Sequence, residues 1–174
     1  LINTNENMLA FANGQPIPHI INNIFVPTFG MVGGTGSTIS LLIAIFIFSR
    51  QKSAKQVARL SLAPGLFNIN EPVIFGMPVM LNPILAIPFI ITPLVTGSIG
   101  YFATVTGFAG KAVVMVPWTT PPLINAWLST AGSVGAVITQ FICIVTAVII
   151  YLPFVKIASR RAEQAALQQA TDNA

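Results

Sequence analysis

Three long apolar runs divide the chain, and each is long enough to cross a bilayer as a helix. They lie near residues 29–49, 84–104 and 132–155, with polar or proline-rich segments between them. A spanning α-helix needs about 20 predominantly apolar residues. The pattern therefore predicts an all-α membrane protein with about three transmembrane helices, the second of them kinked by Pro88 and Pro93.

Two intervening stretches are too irregular for straight helices. Residues 61–83 contain four prolines, and residues 107–130 contain VPWTTPP at positions 116–122. Proline removes a backbone donor and clashes with the preceding helical turn. Irregular backbone inside a bilayer is tolerated only where protein or a cavity surrounds it. We therefore expect a proline-rich re-entrant hairpin near 61–83 and a broken centre in 107–130.

The composition and the charge pattern agree with a membrane location. The chain is 54% hydrophobic and 7% charged, whereas soluble domains carry about 25% charged residues. Basic residues are concentrated in cytoplasmic loops of membrane proteins. Seven of the eight basic residues form two clusters, each directly after an apolar run: Arg50, Lys52, Lys55 and Arg59, then Lys156, Arg160 and Arg161. This predicts a multi-pass membrane protein with a cytoplasmic C-terminus, in contact with membrane lipid and not with nucleic acid.

The ends of the chain are more polar than its middle. The opening LINTNENMLAFANGQPIP has no initiating Met and no signal-peptide pattern, so we interpret residues 1–28 as a truncated upstream segment of a larger protein. Residues 29–155 form the expected membrane domain. Residues 156–174 are polar and alanine-rich, and we expect a cytoplasmic tail that is a frayed helix.

Glu71 is the acidic residue that the composition does not explain. It is the only carboxylate between Glu6 and Glu163, and it lies within the proline-rich stretch. A charged side chain at the bilayer centre costs about 2.5–3.5 kcal/mol on insertion scales and marks a functional site by default. Glu71 is a candidate catalytic residue, as an acceptor for polar ligand groups or as a proton acceptor. The structural alternative is a buried ion pair with Lys111.

Three asparagines and a tryptophan complete the candidate substrate-binding set with Glu71. Amide side chains both donate and accept hydrogen bonds, as recognition of sugar hydroxyls requires, and Trp118 sits on a rigid proline-flanked segment where it could stack on a sugar ring. Capping of broken backbone is the alternative for two of the asparagines. The candidate substrate-binding residues are Asn68, Asn70, Glu71, Asn82 and Trp118.

Other notable residues have simpler interpretations. His19 is expected to be a loop or interfacial residue, Trp127 an interfacial anchor, and Cys143 a small residue that faces either lipid or the core. Small residues in membrane helices usually permit close helix packing, which is the expected role of the glycines in residues 33–36. One carboxylate without clustered His or Cys does not predict a metal, and we expect no cofactor.

The block FNINEPVIFGMPVMLNP at residues 67–83 resembles the membrane permease, enzyme IIC, of the bacterial phosphoenolpyruvate-dependent sugar phosphotransferase system. The likeness is greatest to the lactose, cellobiose and N,N′-diacetylchitobiose branch. GGTGST at 33–38, the basic loop from residue 49, VPWTTPP and a final span with a basic tail follow the family's order. The likeness extends from about residue 29 onward.

The resemblance implies a location in the bacterial plasma (inner) membrane, a function and partners. It implies a sugar-binding half of a larger homodimeric permease that imports a disaccharide, while a phosphorylated IIB subunit at the cytoplasmic side transfers phosphate to the sugar 6-hydroxyl. Asn70 and Glu71 match hairpin residues that hold the sugar and face that hydroxyl, and Trp118 is similar to an aromatic residue that contacts it. The family's upstream histidine precedes glycine, whereas His19 precedes Ile20, so that role is not transferred to His19.

The resemblance leaves several points open. The phosphate donor would be on IIB, so the chain's status as an enzyme is open, and we expect it to be inactive alone. The sequence does not identify the disaccharide, and Glu71 could be a base or only a ligand. The alternative function is part of a proton- or ion-coupled secondary transporter, which also has broken helices and a buried acid.

Overall fold

Helices form all the regular structure in the part of the chain that the computed structural model describes, residues 1–77, 79 and 81–172. A short π-helical turn, Val26–Gly30, lies between the first two α-helices. The α-helices are α1 Ile2–Ala12, α2 Thr38–Phe48, α3 Lys52–Leu66, α4 Glu71–Gly76, α5 Pro83–Val105, α6 Ile124–Ser129 and α7 Val134–Asp172. The expected all-α class is confirmed.

Two helices, α5 and α7, are long and apolar enough to cross a membrane. They correspond to the predicted spans 84–104 and 132–155, and they pack against each other along the centre of the fold. Helix α7 does not end with its apolar run but continues to Asp172. The predicted tail is therefore helical through its described residues, as an extension of the last span.

The predicted span 29–49 is wrong as a single helix. Only residues Thr38–Phe48 form α2, whose 11 residues extend about 16 Å, roughly half of a hydrocarbon core. Residues 31–37 form a loop in which Gly33, Gly34, Gly36 and Ser37 all have positive φ. Right-handed helix cannot continue through such residues. We call residues 31–37 the glycine loop. Its glycines break the predicted helix and do not serve close helix packing, which was their expected role.

A helical hairpin occupies most of the proline-rich stretch. Helix α3 packs on α2 and on α4, and α4 returns along α3, so that a Cβ on Gly76 would lie 2.7 Å from a methyl of Val57. The tip is at residues 67–70. The prediction began the hairpin at residue 61, but its first arm starts at Lys52. The first basic cluster is thus mostly on a helix and not in a loop.

The stretch 107–130 has the broken centre that its prolines predict. Residues 111–123 are non-helical, and α6 follows them. The backbone N–H groups of Val113 and Val114 both donate to the carbonyl of Ser129, at 2.8 and 3.0 Å. These two bonds join the non-helical part of the stretch to the end of α6, which packs on α7.

The first 28 residues pack on this broken stretch. The side chain of Asn7 donates to the carbonyls of His19 and Ala112 at 2.8 and 3.2 Å, and Asn22 donates to the same Ala112 carbonyl at 2.8 Å. Both asparagines are buried. Residues 1–28 are therefore structurally continuous with the rest of the described chain.

One buried hydrogen bond ties α7 to the glycine loop. Tyr151 is fully buried and its hydroxyl donates to the carbonyl of Gly36 at 2.6 Å. The ring of Phe89, from α5, covers the other side of Gly36, where a Cβ would lie 2.3 Å from a ring carbon. The loop is held between the two long helices.

This enclosure predicts that Gly36→Ala is more destabilising than Gly107→Ala. Both glycines have φ of 76°, so both substitutions carry the same left-handed penalty of roughly 1–2 kcal/mol. A Cβ at Gly107 meets nothing within 4 Å, whereas one at Gly36 collides with Phe89, which adds about 1–3 kcal/mol of overpacking. Thermal unfolding in detergent measures the difference. Equal midpoints for the two variants would contradict the packing of Phe89 on the loop.

Candidate functional site

An open cleft of about 230 Å³ brings together four of the five predicted substrate-binding residues. Asn68, Asn70 and Glu71 come from the hairpin tip, and Trp118 comes from the broken stretch 107–130. The remaining lining residues are Pro27, Met31, Gly34 and Thr35. Three breaks in helical structure thus meet at this cleft: the glycine loop, the hairpin tip and the broken stretch 107–130.

Asn68 joins the hairpin tip to the segment that carries Trp118. Its φ of 62° turns the chain out of α3. Its side-chain amide donates to the backbone carbonyls of Trp118 at 2.6 Å and Thr120 at 2.8 Å. These two bonds use both amide hydrogens. Asn68 is therefore placed to position Trp118, and its remaining polar atom is the amide oxygen.

Asn70 joins the hairpin tip to the glycine loop. Its side-chain nitrogen donates to the carbonyl of Thr35 at 3.0 Å, and the residue is buried. A Cβ on Gly34 would lie 2.9 Å from the carbonyl oxygen of Asn68 and 3.0 Å from that side-chain nitrogen. Glycine at position 34 is what allows the two segments to approach each other.

Glu71 is the first residue of α4, and its side chain is exposed at the cleft. The expected burial of this carboxylate is not present. The alternative of an ion pair with Lys111 is wrong, because the Lys111 ammonium instead donates to the carbonyl of Ile17 at 2.5 Å. In the described part of the chain, no cation lies within 4 Å of the Glu71 carboxylate. The carboxylate is free to accept hydrogen bonds from a ligand.

Trp118 lines two clefts, the one described above and a second one. Its side chain is 65% exposed, and it also lines a second cleft of about 540 Å³ together with Pro27, Met115 and Asn125. A flat apolar ring beside polar groups suits a ligand with both an apolar face and hydroxyl groups. Carbohydrate rings have this character.

The remaining predicted residues lie elsewhere. The Asn82 side chain accepts a hydrogen bond from the N–H of Ile84 at 3.1 Å and so caps α5, outside the cleft. His19 pairs with Glu6 in the N-terminal region. Cys143 is buried in α7, so of the two expected positions it faces the core and not lipid.

Sequence reasoning missed the lining residues upstream of the hairpin. The sequence pattern predicts a packed helix at Gly34 and Thr35, and it gives no role to Pro27 and Met31. Three glycines within four positions, 33–36, are the signal that could have indicated a loop. In membrane helices the same composition commonly permits packing, so the signal is ambiguous.

A sequence profile described as "Phosphotransferase system, EIIC" matches residues 1–93 of the chain, more than half of its length. The chain belongs to the phosphotransferase system EIIC family. The match includes the first 28 residues, so the likeness to enzyme IIC begins earlier than residue 29. The family consists of integral inner-membrane permeases.

Curated EIIC proteins extend the likeness beyond residue 93. The chain is 42% identical over 149 residues to the lichenan permease IIC component of Bacillus subtilis, covering 85% of this chain and 33% of that protein. It is 43% identical over 157 residues to the cellobiose-specific EIIC component of Lactococcus lactis, covering 86% and 32%. The chain therefore spans about a third of the length of the curated relatives it matches.

The fold is also that of a solved EIIC structure. The crystal structure of the transporter ChbC, the IIC component of the N,N′-diacetylchitobiose-specific phosphotransferase system, superposes with a TM-score of 0.88 at 40% sequence identity. The superposition covers 94% of this chain and 39% of that one. These relatives and this structural neighbour are named as phosphotransferase-system components and not as ion-coupled transporters.

The geometry predicts that Asn68→Gly loosens Trp118 without unfolding the protein. Glycine retains the positive φ but removes both bonds to the Trp118 segment. In a Trp127→Phe background, where Trp118 is the only tryptophan, we expect its steady-state fluorescence anisotropy to fall and the circular dichroism to stay unchanged.

The matched control for that measurement is Asn68→Gly in a Trp118→Phe background. The anisotropy of the remaining Trp127 should not change, since Trp127 lies outside the cleft. Unchanged anisotropy of Trp118 would show that the two amide bonds do not hold it.

Proposed function

We propose that this chain forms the sugar-binding and translocating part of a phosphotransferase-system permease. The permease imports a disaccharide of the cellobiose, diacetylchitobiose or lactose type and couples import to 6-phosphorylation by a IIB partner. The observation that carries this proposal is the cleft in which Asn70, Glu71 and Trp118 lie together. The named sugars of the relatives and of the structural neighbour support the substrate class.

Each cleft residue has a separate part in the proposed recognition. The Glu71 carboxylate accepts a hydrogen bond from the sugar 6-hydroxyl, and Asn70 orients the ring from the buried side of the cleft. Trp118 stacks on the apolar face of a ring, held by Asn68. Asn82 caps α5 outside the cleft and is given no contact with the sugar.

The proposed phosphorylation uses the 6-hydroxyl that Glu71 contacts. The sugar O6 attacks the phosphorus of a phosphocysteine on IIB; the O6–P bond forms, the S–P bond breaks and the thiolate leaves. Glu71 takes the hydroxyl proton if it acts as a general base. The phosphate donor is thus on the partner, and Cys143, buried in α7, has no part in the transfer.

The membrane arrangement is part of the proposal. Helices α5 and α7 span the bilayer of the inner membrane, and the α3–α4 hairpin is re-entrant, with its tip and the cleft at depth. The basic residues at the end of α2 and along α7 lie at the cytoplasmic side, as the positive-inside rule requires, so the C-terminus is cytoplasmic. The complete permease is a homodimer.

Binding measurements on Glu71→Gln test the proposed hydrogen bond to the sugar. Isothermal titration with cellobiose and diacetylchitobiose would use the purified chain and a hybrid in which the chain replaces the aligned third of the Lactococcus lactis component. In whichever of these two proteins binds the sugar, we expect Glu71→Gln to raise the dissociation constant roughly 10- to 100-fold. The reason is that hydrogen bonds to charged groups are worth about 1.5–3 kcal/mol.

A 6-deoxy disaccharide is the control ligand for Glu71. It should bind weakly to the unmodified protein and equally weakly to Glu71→Gln, since the hydroxyl that contacts the carboxylate is missing. Equal affinity of both proteins for the normal sugar would remove Glu71 from recognition. A loss of phosphoryl transfer at unchanged affinity would then assign it as a base alone.

Replacement of Trp118 tests the stacking surface. We expect Trp118→Ala to weaken disaccharide binding about tenfold and Trp118→Phe to weaken it less, because the smaller ring retains part of the stacking. Trp127→Phe, which alters the other tryptophan outside the cleft, should leave affinity unchanged. The same titrations measure all three, and equal losses from both tryptophans would contradict a local role for Trp118.

A further inference from the structure

The two basic clusters, far apart in sequence, meet in one open pocket of about 680 Å³ at the end of α2. Four cationic residues line this basic pocket. Arg50 comes from the loop before α3, Lys55 comes from the first turn of α3, and Lys156 and Arg160 come from α7. The N–H of Arg50 donates to the hydroxyl of Ser159 at 3.1 Å, which fixes the two segments side by side. Neither the sugar cleft nor its mechanism uses these residues.

The pocket has an excess of positive charge. Glu163 is the one carboxylate on its lining, and no described carboxylate lies within 4 Å of any of the four cations. The hydroxyls of Ser49 and Ser159 also line the pocket. Unpaired cations with hydroxyl donors beside them are the groups that bind phosphate. The charge therefore favours an anionic ligand.

The pocket also has an apolar side, which restricts the kind of anion. Ile47 lines it and is 62% exposed, and the Lys156 ammonium lies 5.2 Å from the ring centroid of Phe48. Ile149 is 62% exposed and lies seven residues before Lys156, so it occupies the same face of α7 two turns away. A ligand that fits both surfaces has a phosphate group and long hydrocarbon chains.

The depth of the pocket agrees with such a ligand. Helix α2 is apolar up to Phe48, and Arg50 follows; α7 is apolar up to Val155, and Lys156 follows. Both changes from apolar to basic occur at the pocket. In the proposed membrane arrangement this is the level of the lipid headgroups, where each basic residue adds about 1 kcal/mol of attraction to anionic lipid.

We propose that the basic pocket is a binding site for an anionic phospholipid, with the phosphate among Arg50, Lys55, Lys156 and Arg160 and the acyl chains along Ile47 and Ile149. The proposal rests on the membrane arrangement proposed above but not on sugar recognition. A phosphorylated protein partner would use the same charges but not the apolar side.

Native mass spectrometry of the purified chain in neutral detergent tests the site, with phosphatidylglycerol and phosphatidylcholine as probes. The pocket variant is Lys156→Gln/Arg160→Gln, and the matched control is Arg59→Gln/Arg161→Gln, which removes the same charge from exposed positions of the same clusters outside the pocket. We expect phosphatidylglycerol to bind the pocket variant about 10- to 30-fold more weakly. The control should change less than twofold, and phosphatidylcholine should bind weakly throughout.

Several results would overturn the proposal. Equal losses in both variants would show general charge attraction without a site, and glycerol 3-phosphate binding as tightly as phosphatidylglycerol would show a site for free phosphate. Unchanged lipid affinity in the pocket variant, with loss of binding to purified phosphorylated IIB, would assign the pocket to the protein partner. Circular dichroism confirms that each variant folds, and cellobiose titration shows separately that the sugar site is intact.

Discussion

A break in a membrane helix must find its hydrogen-bond partners within the protein, because lipid offers none. Three breaks in this chain meet that requirement partly through one another. The side chain of Asn68 binds carbonyls of the 107–130 stretch, and the side chain of Asn70 binds a carbonyl of the glycine loop. The breaks must therefore be neighbours. The hydrogen bonds bring the three segments together at their edges, and the space between them is the cleft.

The same requirement divides the cleft residues into two kinds. Asn68 donates both amide hydrogens to the fold and Asn70 donates at least one, so both have limited capacity left for a ligand. Glu71 and Trp118 are exposed and extend from the positions that these amides establish. A substitution at Asn68 is thus expected to act through Trp118, whereas one at Glu71 acts on the ligand directly. Sequence proximity within FNINEP conceals this difference between neighbours.

Short-range sequence patterns were sufficient to predict part of the fold. The apolar runs identified α5 and α7, and the prolines identified the hairpin and the broken stretch. The glycine loop was missed because glycine in an apolar run permits either helix packing or a turn, and only the contacts with Asn70, Phe89 and Tyr151 select the turn. The rigid proline-flanked segment identified Trp118, and polarity in an apolar setting identified Asn68, Asn70 and Glu71 as cleft residues. Asn82 shares that signal, but it precedes a helix that starts with proline and is used as its cap.

Helix α7 connects the cleft to the basic pocket mechanically. Tyr151 bonds to the glycine loop and Ser159 bonds to the loop before α3, and the two residues lie about two turns apart on the same face. Helices α2 and α3 extend between the same two places, since α2 begins at the glycine loop and α3 ends at the hairpin tip. The cleft is thus anchored to three helices that all reach the basic pocket. A shift of the start of α3 away from α7 would break the Ser159 bond. A ligand that bridges the two sides of the basic pocket would oppose that shift, because it binds better when the two sides are close together.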